Sequence, residues 1–158
     1  MIGFITWFVN DDLAIYFSDT PRVCVRYVLP SMTILERQSI KKFPFLCKTK
    51  LDVIIFDYKK DKKYKFTIPK NYCYDGASVP RFFHRLIGAP TDNSFLISSL
   101  CHDVLWENPQ SIDDDRQLST DIFDALLSVS DVQPFKRFLM KHSVNIYQSC
   151  QKKWRNHN

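Results

Sequence analysis

The residue pattern of this chain changes period partway along, and that change constrains the fold more than any other feature. Lys50–Tyr58 reads Lys-Leu-Asp-Val-Ile-Ile-Phe-Asp-Tyr, and Lys63–Ile68 alternates, with Tyr64, Phe66 and Ile68 on one face. Strands send alternate side chains to opposite faces, so the two runs predict a β-hairpin joined by the basic loop Lys59–Lys62. That lysine cluster reads as a phosphate site or, preferably, as a solvated turn that blunts a sheet edge. From Ser94 onward the apolar residues recur at helical spacing instead. Phe95, Leu96, Leu100 and Val104 mark a helix from Ser94 to about Glu107, and Ile112, Leu118, Ile122, Phe123, Leu126 and Leu127 one from Ser111 to about Ser128. Phe135, Phe138, Leu139, His142, Ile146 and Cys150 line one face of a last helix, from Pro134 to about Trp154. Strands followed by helices predict an α+β fold, a small antiparallel β-sheet from the N-terminal half packed against three to four C-terminal helices. A chain of 158 residues, 45% hydrophobic, can bury its own core, so residues 1–158 are read as a single domain.

Residues 1–49 carry weaker signals. Met1–Val9 is apolar, lacks a basic leader and a cleavage site, and is too short to span a bilayer, which predicts a buried strand. Val23–Leu29, bounded by Pro21 and Pro30, predicts another strand, and Ser31–Lys42 a helix that Pro44 ends. The five cysteines are scattered without a C-x-x-C pair, which speaks against a disulfide framework or a zinc knuckle and for mostly buried thiols in a reducing compartment. The net charge of +5 is modest, but its distribution is uneven. Val132–Asn158 contains no Asp or Glu and includes Lys136, Arg137, Lys141, Lys152, Lys153 and Arg155, whereas the preceding helical region holds Asp113, Asp114, Asp115, Asp121 and Asp124. Two neighbouring helices pairing their charges account for this. Nucleic-acid binding through the basic C-terminal helix is the alternative, with no recognised motif behind it.

Two polar islands interrupt the apolar pattern. Tyr72-Cys-Tyr-Asp-Gly-Ala-Ser-Val-Pro-Arg81 leaves the hairpin through a turn and enters a short helix, Val79–Ile87, with Pro80 in its first turn. Ser78 is placed to be its N-cap, and the Gly-x-Ser-x-Gly pattern of a nucleophile is absent. Gly76, one of three glycines, predicts a position where a side chain is excluded. The second island is Cys101-His-Asp-Val-Leu-Trp106. Adjacent helical residues diverge by about 100°, so His102 and Asp103 can face different neighbours. Asn108-Pro109-Gln110 folds the next helix back, which predicts that Asp115 and Arg116 reach His102 or Asp103. The candidate site is therefore Asp75, Ser78, Arg81, His102, Asp103, Asp115 and Arg116. It suits three chemistries. His102, oriented by Asp75, Asp103 or Asp115, can act as a general base on water. Asp75 and Asp103 with backbone carbonyls can hold a divalent cation, the one cofactor the residues would suit. Or the group, with Ser78, Arg81 and Arg116 as binding partners, is a satisfied buried network.

These residues resemble the phage and bacterial domain-of-unknown-function 1353 family. The family's strand and its "Asp-Gly-Ala-Ser-Ile-Pro-Arg" turn are matched by Phe66-Thr-Ile-Pro69 and Tyr74-Asp-Gly-Ala-Ser-Val-Pro-Arg81. Its "His-Asp-Tyr-Leu-Tyr" segment is matched by His102-Asp-Val-Leu-Trp106, its "Ala-Asp-Arg" by Asp114-Asp115-Arg116, and its last amphipathic helix in pattern by Phe138–Val144. The resemblance covers residues 50–150 and leaves 1–49 unmatched. Val104 and Trp106 replace tyrosines and Asp131 a glycine, so no role of a tyrosine hydroxyl is carried over. What the resemblance implies is a setting, since such genes are frequent in tailed phages and prophages. The reading that follows is a bacteriophage-type, virion-associated structural or assembly component. It would act in the host cytoplasm or the virion, with other virion or assembly proteins as partners and no membrane span. The alternatives are a His/Asp-dependent, metal-assisted or metal-free hydrolase and a small effector that binds a host protein.

Overall fold

The computed structural model describes residues 3–75, 93–130 and 132–150. Seven strands precede three described helices with a further helix between strands: β1 (Ile5–Val9), β2 (Leu13–Phe17), β3 (Val23–Val25), α1 (Ile34–Lys42), β4 (Phe45–Cys47), β5 (Leu51–Asp57), β6 (Lys62–Ile68), β7 (Tyr72–Tyr74), α2 (Asn93–Glu107), α3 (Arg116–Val129) and α4 (Pro134–Ser149). The architecture is α+β, as the change of period predicts. There are two antiparallel sheets instead of one, a four-stranded sheet ordered β1-β2-β5-β6 and a three-stranded sheet ordered β3-β4-β7.

The predicted hairpin is β5–β6, with Val53 opposite Phe66, Ile55 opposite Tyr64 and Asp57 opposite Lys62. Tyr64, Phe66 and Ile68 all point into the core. The turn closes on Asp61 in the left-handed region (φ 51°), which an Asp side chain tolerates, and on Asp57, whose Oδ1 accepts from the N–H groups of Lys59 and Lys60. Its lysines are paired. Lys59 meets Asp12 at 3.1 Å, Lys62 meets Asp113 at 2.8 Å, and Lys60 bonds Asp115.

Several expectations are corrected. β1 is a partly exposed edge strand instead of a buried one, carrying a bulge at Thr6–Phe8 and leaning Trp7 edge-on against Phe17. The buried strand of this region is β2, where Leu13, Ala14, Ile15 and Phe17 lie between β1 and β5. The helix before Pro44 begins at Ile34 because Thr33 and Glu36 form a reciprocal capping box. The third predicted helix begins five residues late. A 3₁₀ turn, Pro109–Ile112, comes first, then Asp113 and Asp114 in left-handed backbone (φ 57° each), so these two lie before the helix and Asp115 is its N-cap. α4 has Pro134 in its first turn and ends at Ser149, and the apolar face predicted for it is turned to solvent: Phe135, Phe138 and Ile146 are exposed, while Met140, Ser143, Val144 and Gln148 face inward. Of the cysteines, Cys47 and Cys101 are buried, Cys24 and Cys73 half-buried, and Cys150 exposed.

One continuous core joins β2, β5 and β6 with α2 and α3 and takes in Phe45, Cys47 and Tyr74 from the smaller sheet. A second cluster, Phe95, Phe123, Leu127, Val132, Met140 and Val144, seats α4 on α2 and α3. The acidic and basic helices pair as predicted, with Arg137 at 3.0 Å from Asp124 and Lys141 within 3.6 Å of Asp121 and Asp124.

Candidate functional site

β7 delivers Asp75 to α2. Its last residue, Tyr74, is buried, and the phenol donates a 3.0 Å hydrogen bond to the Leu96 carbonyl of α2. One residue on, the Asp75 N–H donates to Asp103 Oδ2 at 3.3 Å, so the two polar islands meet as the sequence predicts.

From Asp103 a line of polar groups runs inward across three helices. Asp103 Oδ1 lies 3.3 Å from His102 Nδ1, and His102 Nε2 lies 2.9 Å from Gln148 Nε2 on α4. The amide of Gln148 also donates to Ser119 Oγ at 3.3 Å, while its Oε1 accepts from Thr120 Oγ1 at 3.2 Å. The orientation of the Gln148 amide sets the tautomer. An amide N–H₂ can only donate, so His102 Nε2 accepts and the ring proton sits on Nδ1, donated to Asp103. His102 is only 3% exposed, its ring lying 22° from the plane of Trp106 and edge-on to Phe123. Gln148, Ser119 and Thr120 are fully buried.

At its outer end the line finishes in a carboxyl pair. Asp75 as a residue is exposed, but its carboxyl group is crowded by protein and hydrogen-bonds Asp103. Burial, then that hydrogen bond, then the Asp103 charge raise the Asp75 carboxyl to about 7. Beside them the Tyr72 hydroxyl is buried near Glu107 without a well-formed hydrogen bond, and burial followed by the Glu107 charge pushes its phenol above the ordinary range.

The remaining predicted members do not join this line. Asp115 caps α3, accepting from the Leu118 N–H at 3.0 Å, and its other oxygen takes Lys60 of the hairpin turn. Arg116 turns to α4, bonding the carbonyl of Asn145 at 3.1 Å and its side-chain oxygen. The fold-back at Asn108–Gln110 is real, but the 3₁₀ turn and the cap direct both side chains elsewhere. Gly76, Ser78 and Arg81 lie outside the described residues. No group of three His, Cys, Asp or Glu side chains among the described residues is arranged to hold a metal ion. A cleft of about 590 Å³ opens between the β1–β2 and β5–β6 turns and α3, lined by Asp12, Asp57, Lys60, Asp115, Asp121 and Lys141 among others. Asp75, Asp103 and His102 are not in its wall.

Sequence reasoning missed Gln148, Ser119 and Thr120. One signal was present: Gln148 continues the four-residue row of Met140 and Val144, so a helix burying those two also buries the amide.

Residues 53–144, more than half of the chain, match the model of a family described as "Protein of unknown function (DUF1353)". No curated protein and no solved structure matches the chain.

Proposed function

We propose that this chain, which belongs to the DUF1353 family, is a bacteriophage-type structural or assembly component of the virion, its polar centre a junction that locks β7, α2, α3 and α4 together. The observation that carries the structural reading is the state of His102. Both ring nitrogens are engaged inside the core, Nδ1 with Asp103 and Nε2 with Gln148, and the ring is enclosed by Trp106 and Phe123. A general base needs a free nitrogen within reach of a substrate proton; here the ring joins elements. The phage setting comes from the family resemblance. In the phage that encodes the chain, deleting its gene should stop particle assembly, and mass spectrometry of purified virions should find the protein. A normal yield of infectious particles without it in them would sink this reading.

The carboxyl pair supports a second reading. The Asp75 carboxyl, raised to about 7, and the Asp103 carboxyl beside it could serve a hydrolase as acid and base without His102. Wild-type protein assayed on ester, peptide, glycan and phosphodiester substrates decides between the two. The structural role requires no turnover. Turnover that disappears in a stably folded Asp103→Asn protein would put the hydrolase in its place.

A further inference from the structure

The edges of the two sheets are not treated alike. A free edge is a row of unpaired N–H and C=O groups, and folds blunt it with a bulge or with charged side chains. β1, one edge of the larger sheet, carries the bulge at Thr6–Phe8, and β6, the other, carries Lys62, Lys63 and Lys65. β3, an edge of the smaller sheet, has neither device. Its residues Val23-Cys-Val25 are uncharged and pair with β4 in unbroken register. The ladder shows which of its backbone groups face outward. The Arg22 carbonyl accepts from the Lys48 N–H at 2.8 Å, and the Arg26 N–H donates to the Pro44 carbonyl at 2.7 Å. Backbone groups alternate sides along an antiparallel strand, so Arg22, Cys24 and Arg26 face β4, while Val23 and Val25 turn their N–H and C=O groups away from it. Among the described residues nothing hydrogen-bonds the N–H groups of Val23, Val25, Tyr27 or Val28. Tyr27 and Val28, just past the strand, are 75% and 47% exposed.

The surroundings of this edge are basic. Glu36 is the only Asp or Glu from Pro21 to Lys50, and the α1 capping box holds it. Arg22 and Arg26 flank β3, and Lys48 is joined to Arg22 through the backbone. Lys42 adjoins Phe43, whose carbonyl takes the Arg26 guanidinium at 2.9 Å. Among the described residues no carboxylate pairs with Arg22, Arg26, Lys42 or Lys48.

We infer that the outer edge of β3, continued to Val28, is a strand-addition site for an extended acidic peptide of another protein. The peptide backbone pairs with Val23 and Val25, and its carboxylates meet the flanking cations. The backbone selects a strand as the occupant. An added strand uses donors and acceptors in alternation, which this edge presents. A phosphate only accepts and leaves the carbonyls bare, and a lipid interior leaves both kinds of group unpaired. The charge selects an acidic strand over a neutral one. A second copy of the chain is opposed by its own arginines. Two β3 edges pairing antiparallel about Cys24 set Arg22 opposite the other copy's Arg26, and pairing about Arg26 sets the two Arg26 residues together. Pairing about Val25 leaves Arg26 diagonal to both arginines, and like charges facing across a ladder are destabilising. β3 lies outside the family-matched residues 53–144, and the inference is independent of the role of the polar centre.

The test is fluorescence anisotropy of a short, end-blocked synthetic peptide alternating Glu and Val, titrated with the full chain. The peptide should bind, more weakly as salt rises, and the same peptide with Lys in place of Glu should not. Methylating every second peptide amide nitrogen removes donors and keeps the charge; in one of its two phases it should weaken binding by about tenfold or more. Arg22→Glu/Lys48→Glu, both at exposed positions, should weaken binding comparably. Val25→Pro removes an outward N–H, which an edge strand tolerates, and should weaken binding in a protein that circular dichroism shows to be folded. Bound peptide should slow hydrogen exchange at the Val23 and Val25 amides. Failure of the Glu peptide to bind overturns the inference. So does equal binding of the Glu and Lys peptides, of both methylated peptides and their parent, or of folded Val25→Pro and wild type. Binding of a single-stranded oligonucleotide without binding of the peptide overturns it in favour of nucleic acid, and self-association that Val25→Pro abolishes, again without peptide binding, in favour of a second copy.

Discussion

At the scale of single residues, the polar centre is a set of groups that each need a particular neighbour. His102→Ala removes the partner of Asp103 Oδ1 and of one Gln148 amide N–H. A buried polar group left unpaired costs about 1–3 kcal/mol, so the variant should fold with a correspondingly lower denaturant midpoint. Gln148→Leu should do the same, since it strands His102 Nε2. Unchanged midpoints in both would show that the line of bonds contributes nothing. Asp75 gives a pH signature. Its folded carboxyl is raised to about 7, above the ordinary unfolded value near 4. The folded state therefore holds a proton that the unfolded state has released. The stability this adds is fully present below about pH 4 and is lost as pH rises through about 7. Relative to wild type, Asp75→Asn should show a flatter dependence of melting temperature on pH across that window. Parallel profiles for the two proteins would show that the Asp75 carboxyl is not raised.

At the scale of elements, α4 has the most instructive orientation. Its sequence displays an apolar stripe, yet the fold buries the row Met140–Val144–Gln148 and leaves Phe135, Phe138 and Ile146 in solvent. The helix is placed by what lies beneath it. Arg137 and Lys141 must meet Asp124 and Asp121 on α3, and Gln148 must meet His102. Val144→Ala should therefore cost about 2 kcal/mol by opening a cavity, whereas Phe135→Ser should change stability by no more than about 0.5 kcal/mol. Chemical denaturation of the two variants checks the orientation directly. The reverse ranking would mean that the stripe, and not the row, is packed.

At the scale of the whole molecule, the larger core joins both sheets to α2 and α3, while α2 and α3 also hold α4 through Phe95, Phe123 and Leu127. None of the described helices α2–α4 rests on a core of its own. Far-UV and near-UV circular dichroism should accordingly report one coincident unfolding transition. Separate midpoints, with helix lost after aromatic packing, would divide the protein into independent units. The hairpin turn adds a second tie between the halves through Lys60 with Asp115 and Lys62 with Asp113. None of the described helices is long and apolar enough to cross a membrane.

Local pattern was enough for the α+β class, the β5–β6 hairpin, the extent of α2 and the meeting of Asp75 with the His102–Asp103 turn, because each follows from side-chain period or from motif order along one stretch of chain. Where the period was ambiguous, contacts between distant stretches decided. β2 was indistinct in the sequence and is the most buried strand of its region, because β1 and β5 flank it. Asp115 and Arg116 looked free to join His102, and a 3₁₀ turn with two left-handed residues aimed them at Lys60 and Asn145. Gln148 stands 46 positions from His102, and only the packing of α4 on α2 brings the amide to the ring. A helical period states that a stripe exists. Which side of the helix is buried depends on the charges and polar groups of the neighbours it meets, and those belong to the tertiary structure alone.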